Sequence, residues 1–311
     1  MSFQSALFQV LQEKLPAHSS SAKWLAAQLD IDYSAAHRKI SGKSHLKPDE
    51  MAQLFQLCPE LVTALPQPAT GQHLVVRHSS FRDYTGLERY LTGVRDQLQQ
   101  ALEEDMRLDY FARDLPFFFF LAQPELAAYK FAMWTQQLKE GMVPPLSPEI
   151  GNLCEDIFAL YGALPSKEIW YSGALDSQLD QLQWHYEVKV LDAGQYQQLL
   201  EAYLGTLRHF KNAGKKGHKE EGGTYELYGS GFCTLNNGGI FKNAEKSRLL
   251  QAVMSVFFIQ TEQSEMVEVF EHEYEAHLQR ALNLHNRKWA QRFFSKQEKR
   301  IKATIADLKK A

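Results

Sequence analysis

The sequence predicts a multidomain chain in which a small all-α domain precedes a larger mixed α/β (α+β) domain, and three observations predict it. Apolar residues recur at helical spacing over roughly the first sixty positions. The stretch Leu65-Pro-Gln-Pro-Ala-Thr-Gly71 then gathers prolines and a glycine that neither a helix nor a central strand accommodates. Beyond it, short apolar runs of strand length alternate with longer helical patterns. The expected boundaries are 1–66 for the first domain, 67–72 for the linker and 73–311 for the second.

Within the first domain, Phe3, Leu7, Phe8, Leu11 and Leu15 share one helical face, and Pro16 ends that helix. Ser19-Ser20-Ser21 offers an N-cap for a second helix carrying Trp24, Leu25 and Leu29. After a break at Asp30 to Ser34, a third helix runs through Ala35, Ala36 and Ile40 and stops at Gly42. Pro48 sits where a first-turn proline is tolerated and opens a fourth helix with Met51, Leu54, Phe55 and Cys58 on one side.

The second and third helices have the pattern of two helices crossing steeply. Ala26 supplies the small residue that such a crossing needs, Ile31 fills the turn, and Ala36 and Ile40 face back into the core. Tyr33, Ser34, His37, Arg38 and Ser41 remain on the opposite face, side chains of the kinds that read base edges or grip phosphate. Between Ser20 and Lys47 the bases Lys23, Arg38, Lys39, Lys43 and Lys47 outnumber the acids Asp30 and Asp32, although the whole chain carries a net charge of −3.

The segment Trp24-Leu-Ala-Ala-Gln-Leu-Asp-Ile-Asp-Tyr-Ser-Ala-Ala-His-Arg-Lys-Ile-Ser-Gly42, followed by Leu46-Lys-Pro-Asp-Glu-Met51, resembles the lambda-repressor/Xre-like helix-turn-helix domain, and most of all its BetR-like branch. Where that family often has glycine in the turn, this chain has Asp30, a residue that tolerates the left-handed region better than most. The resemblance implies that Tyr33, Ser34, His37 and Arg38 face the major groove of double-stranded DNA, while Lys39, Ser41, Lys43 and Ser44 contact its backbone.

For the second domain the sequence predicts strands near Leu74 to Arg77, Leu108 to Ala112, Glu168 to Ser172, Thr224 to Tyr228, Phe232 to Leu235, Ile240 to Lys242 and Ala252 to Ile259. Helices are expected at Gly86 to Glu104, Pro124 to Lys139, Ser147 to Tyr161, Leu175 to Tyr186, Ala193 to Phe210, Glu265 to Leu284 and Arg287 to Lys309. Asn236-Asn-Gly-Gly239 reads as a tight hairpin turn, and Arg208 to Gly223, with four lysines among glycines, as a mobile loop. Asp114-Leu-Pro-Phe, Gln123-Pro-Glu-Leu-Ala-Ala-Tyr-Lys-Phe131 with Trp134, and Ser166-Lys-Glu-Ile-Trp170 are similar to the C-terminal region of a group of bacterial helix-turn-helix proteins whose role is not established.

Other chemistry has little support. His272 and His277 are five residues apart and diverge by about 140° on a helix, unlike the four-residue spacing of zinc-binding pairs. Gly229-Ser-Gly231 is too short for a dinucleotide loop, and no phosphate-binding loop or nucleophile elbow occurs. Cys58, Cys154 and Cys233 lie far apart without metal-ligand spacing. Phe117 to Phe120, with Trp134, Trp170 and Trp184, form either a buried core or the wall of an apolar pocket. Hydrophobic residues at 44% and charged residues at 23% are ordinary globular values.

The expected protein is therefore a cytoplasmic, sequence-specific transcription regulator, without catalytic residues, metal or cofactor, whose second domain senses a small-molecule or protein effector or forms a homodimer. A DNA-targeted enzyme of nuclease or nucleotide-processing type, or a protein-interaction adaptor, are the competing readings. No membrane partner is expected, because no stretch approaches the roughly 20 apolar residues of a spanning helix.

Overall fold

In the computed structural model the described residues are 3–15, 20–58, 61, 77–79, 81, 83–139, 142–254 and 257–310. The chain divides into two compact units, Met1–Val75 and Val76–Ala311. The expected linker, the stop at Pro16 and the start of the strand expected at Leu74 lie outside the described residues.

In the first unit, α1 (Phe3–Lys14), α2 (Ser21–Leu29), α3 (Tyr33–Ile40) and α4 (Pro48–Leu57) surround a core of Leu7, Phe8, Leu11, Leu25, Ala36, Leu46, Leu54 and Leu61. Ser20 caps α2 and Pro48 occupies the first turn of α4, both as the sequence suggests. Helix α3 begins two residues earlier than Ala35, because the Asp32 carboxylate caps it by accepting from Ala35 N at 2.8 Å.

The second unit is mixed α/β. It is built on an eight-stranded sheet in the order β1-β7-β6-β5-β2-β3-β4-β8, with β1 (Arg77–Ser79), β2 (Arg107–Ala112), β3 (Ser166–Tyr171), β4 (Tyr225–Ser230), β5 (Gly238–Lys242), β6 (Ser247–Met254), β7 (Phe257–Thr261) and β8 (Leu282–Asn283). Strands β2, β3 and β4 run parallel, linked by helical crossovers, and the remaining neighbours pair antiparallel. The helices are α5 (Tyr84–Glu103), α6 (Phe117–Leu121), α7 (Pro124–Trp134), α8 (Pro148–Ala163), α9 (Ser172–Glu187), α10 (Ala193–Lys216), α11 (Ser264–Leu278) and α12 (Arg287–Leu308).

Strand alternation divides the core into two layers. Leu108, Tyr110, Ala112, Trp170, Tyr225 and Leu227 face a thick helical layer that includes α5, α8, α10 and α12. Phe111, Ile169, Ile240 and Leu249 face the opposite side, where Val267, Phe270 and Tyr274 of α11 cover them. Burial on both faces encloses every residue of β2 after Arg107, Asp109 included, whose carboxylate pairs with Lys242 at 2.8 Å. No helix among the described residues is long and apolar enough to cross a membrane.

Several expectations for this unit are corrected. Asn236-Asn-Gly-Gly239 makes no hairpin: Phe232 to Leu235 is not a strand, and β5 pairs with β2 and β6. The glycines serve close approach instead, since a Cβ on Gly239 would stand 2.8 Å from the Tyr110 ring. The asparagines pin β5 to the end of β2, with Asn236 Oδ1 accepting from Arg113 and Asn237 Oδ1 from the Asp114 N–H, each at 2.8 Å. The single strand expected over Ala252 to Ile259 is two antiparallel strands, β6 and β7. Helix α7 ends at Trp134, and α11 ends at Leu278 to make room for β8. The loop expected at Arg208 to Gly223 is largely the last turns of α10, which ends where Gly217 takes a positive φ of 78°. The final helix packs on its own unit through Ala290, Phe294 and Ile301.

Candidate functional site

The corner between α2 and α3 is fixed by two aspartates. Asp30 closes α2 in the left-handed region at φ 52° and ψ 48°, and its N–H and that of Ile31 both bond to Ala26 O. Asp32 then turns the chain into α3, accepting also from Ser34 Oγ at 2.5 Å. These bonds hold the Asp32 carboxyl below its usual value. Ala36 is fully buried, so the opposite arc of α3 faces outward.

On that arc Tyr33, Ser34, His37, Arg38 and Ser41 are exposed within about 140° of the helix circumference. Tyr33 is 52% exposed, and its ring lies 6.3 Å from that of His37. Lys43 is exposed just beyond the helix, where its N–H and that of Ser44 bond to Arg38 O. Among the described residues, neither Arg38 nor Lys43 has a carboxylate within 4.0 Å. Ser44 is half-buried.

Lys39 differs from the other residues expected to touch DNA. It is turned inward, with Nζ bonded to Glu50 Oε2 at 2.8 Å and to His45 O at 3.0 Å. The same Glu50 oxygen accepts from Lys47 N at 2.7 Å. Gln4 of α1 grips the other side of the segment, donating to Lys39 O and Ser44 O and accepting from Leu46 N. Neither Gln4 nor Glu50 is legible as a positioning residue from local pattern, because each acts across the fold.

In the second unit the aromatic run builds core. Phe119, Phe120 and Trp170 are buried, and the Phe119 ring stacks on Phe210 at 5.6 Å. Trp184 is 61% exposed and, among the described residues, belongs to no such cluster. An open cavity of about 390 Å³ lies elsewhere, against Pro124, Ala128, Val143, Pro145 and Leu199. His272 is exposed, whereas His277 is buried between the rings of Phe111 and Phe232 and paired with Thr234, so the two share no site.

A polar cluster lies under α8, built in part from the Ser166-Lys-Glu-Ile-Trp170 segment, to which the sequence assigns no site. Glu168 of β3 is 1% exposed and accepts from Tyr161 at 2.6 Å, Ser166 at 3.0 Å, Trp170 Nε1 at 2.9 Å and Tyr225 at 3.5 Å. Lys219, from the turn after α10, reaches in to donate to Ser166 Oγ at 3.0 Å. Burial pushes its amine down to about 7, although Glu168 opposes that shift. The signal was the period-two series Ser166, Glu168, Trp170, which puts two polar groups on the same strand face as a tryptophan.

The chain matches no family model, no curated protein and no solved structure.

Proposed function

We propose that this protein is a sequence-specific DNA-binding transcription regulator whose first unit is a helix-turn-helix domain of the lambda-repressor/Xre-like kind. The reading rests on one arrangement: an exposed arc of hydrogen-bonding side chains on α3, with Arg38 and Lys43 free of carboxylates within 4.0 Å among the described residues, set on a corner held by Asp30 and Asp32. Tyr33, His37 and Arg38 face base edges, and Ser41 and Lys43 face phosphate. Lys39 leaves the interface because its charge is taken up by Glu50. The Asp32 carboxylate occupies the α3 N-terminus, so phosphate is gripped at the C-terminal end of α3 and not at its first turn.

The second unit serves as the dimerisation or effector-sensing body of a cytoplasmic homodimer. Two copies of one small module then read half-sites about one helical turn apart. Selection of bound sequences from a random duplex library by the full-length protein tests this reading, with affinity then followed against salt. A palindrome with that spacing and a steep salt slope is expected; no enrichment with salt-independent binding makes the first unit a protein-binding module.

A further inference from the structure

Lys219 is a cation with incomplete surroundings. It is 3% exposed, and an ammonium has three donors to satisfy. Ser166 Oγ takes one, and the rings of Tyr161 and Tyr225 stand 3.8 Å and 5.5 Å from Nζ. Among the described residues no carboxylate lies within 4.0 Å of it, and nearby Glu168 is already occupied by four neutral donors. Lys130, also buried, differs: its ammonium is held by the side-chain carbonyls of both Gln178 and Gln181. A buried charge short of an acceptor is costly, and a ligand oxygen relieves that cost.

There is room for one. Lys219 lines a cavity of about 190 Å³ between α8, the second half of α10 and the turn that follows it. Around that cavity stand three exposed carboxylates, Glu155, Glu220 and Glu221. Phe158 supplies an apolar wall, its ring 5.6 Å from that of His209. Burial holds the His209 imidazole below its usual value, although Glu220 stands 3.4 Å away and opposes the shift. The cavity thus brings together a buried lysine, three exposed carboxylates and an aromatic side. Its volume is below the roughly 300 Å³ at which pockets for drug-sized molecules begin.

We propose that this cavity binds a small zwitterion of the α-amino-acid class, its carboxylate on Lys219 Nζ and its ammonium among the Glu155, Glu220 and Glu221 carboxylates. A simple carboxylic acid satisfies Lys219 but meets the three carboxylates, and a simple amine meets the reverse. Binding does not depend on the regulatory reading above; only a role for the ligand as effector rests on it.

Calorimetric titration of the twenty amino acids into the full chain without DNA tests the site, so a failure here leaves DNA binding untouched. At least one amino acid is expected to bind saturably, and its decarboxylated amine and its deaminated acid each to bind at least about tenfold more weakly. At roughly pH 8 the free Lys219 amine is largely neutral, so carboxylate binding draws in a proton and the measured heat depends on the buffer. Lys219→Met abolishes binding. Because that change also alters the interior, Glu220→Gln with Glu221→Gln, both exposed, removes the preference for the amino acid over its deaminated acid. The proposal is overturned by absence of binding for all twenty up to about 10 mM, by equal binding of an amino acid and its deaminated acid, or by undiminished binding in a folded Lys219→Met protein.

Discussion

Lys39 Nζ and Glu50 Oε2 meet at 2.8 Å, so a cation expected to grip DNA instead ties α3 to α4. The two bases that flank the end of α3 therefore have opposite roles. Lys39→Met leaves Glu50 without its ammonium partner and is expected to destabilise the first unit by about 1–3 kcal/mol, with the salt slope of DNA binding unchanged in protein that remains folded. Lys43→Ala is expected to leave stability alone and reduce that slope by about one unit. Chemical denaturation and salt titration of both variants separate the two roles, and the reverse pattern would return Lys39 to the interface.

Arg38 is the residue on α3 suited to bidentate contact with guanine, and among the described residues no carboxylate competes for its guanidinium within 4.0 Å. Arg38→Ala is expected to weaken binding to the selected sequence by about 1–3 kcal/mol while affecting random duplex much less. Equal losses on both would reduce it to a phosphate contact.

Asp30 stands at φ 52°, where β-branched side chains are strained. Asp30→Val should destabilise the first unit by about 1–2 kcal/mol, and Asp30→Gly should be neutral or slightly stabilising. Thermal unfolding of the two variants checks this, and wild-type stability in the Asp30→Val protein would mean that the corner between α2 and α3 tolerates another path.

Although the Asp32 cap that starts α3 at Tyr33 and not Ala35 was missed, that corner was legible in large part because its signals are local: Ala26, Asp30 and Ile31 act within a few residues of one another. The inward turn of Lys39 was not, because it depends on Glu50 eleven positions later. Glycine misled for a different reason. It allows positive φ, and it also removes a Cβ; Gly238 and Gly239 serve the second purpose, yet the sequence suggests the first. The lysines after Arg208 look solvated by composition, but Lys211 is paired with Glu298 of α12 and Lys219 reaches Ser166 of β3, partners 87 and 53 residues away. Strand order was equally remote, since the two parallel crossovers bring together β2, β3 and β4 from far apart in the chain.

Lys130 gives a pH test of the second unit. Burial pushes its amine down to about 7, whereas an unfolded lysine titrates near about 10.4. Between those values the unfolded chain holds more protons, so stability rises with pH across that window and its loss is complete below about 7. Lys219 shifts in the same direction. The melting temperature is expected to increase between about pH 7 and pH 9, and Lys130→Met is expected to flatten the rise without removing it. An identical slope in wild type and variant would show that Lys130 does not titrate there.

Glu168 is the acceptor on which the polar cluster of the second unit depends. Its two oxygens receive Tyr161, Ser166, Trp170 and Tyr225, and burial together with the Glu168 charge keeps both tyrosine hydroxyls protonated far above the ordinary range. A carboxylate can take all four because it only accepts. In Glu168→Gln one oxygen becomes an NH₂ that opposes two of the donors, so the substitution is expected to cost about 2–4 kcal/mol. Urea unfolding followed by tryptophan fluorescence reads that loss, and Trp170, whose indole N–H is 2.9 Å from Glu168, reports the site directly. Wild-type stability in this variant would mean that the cluster accommodates an amide, and that the negative charge beside Lys219 is dispensable to the fold.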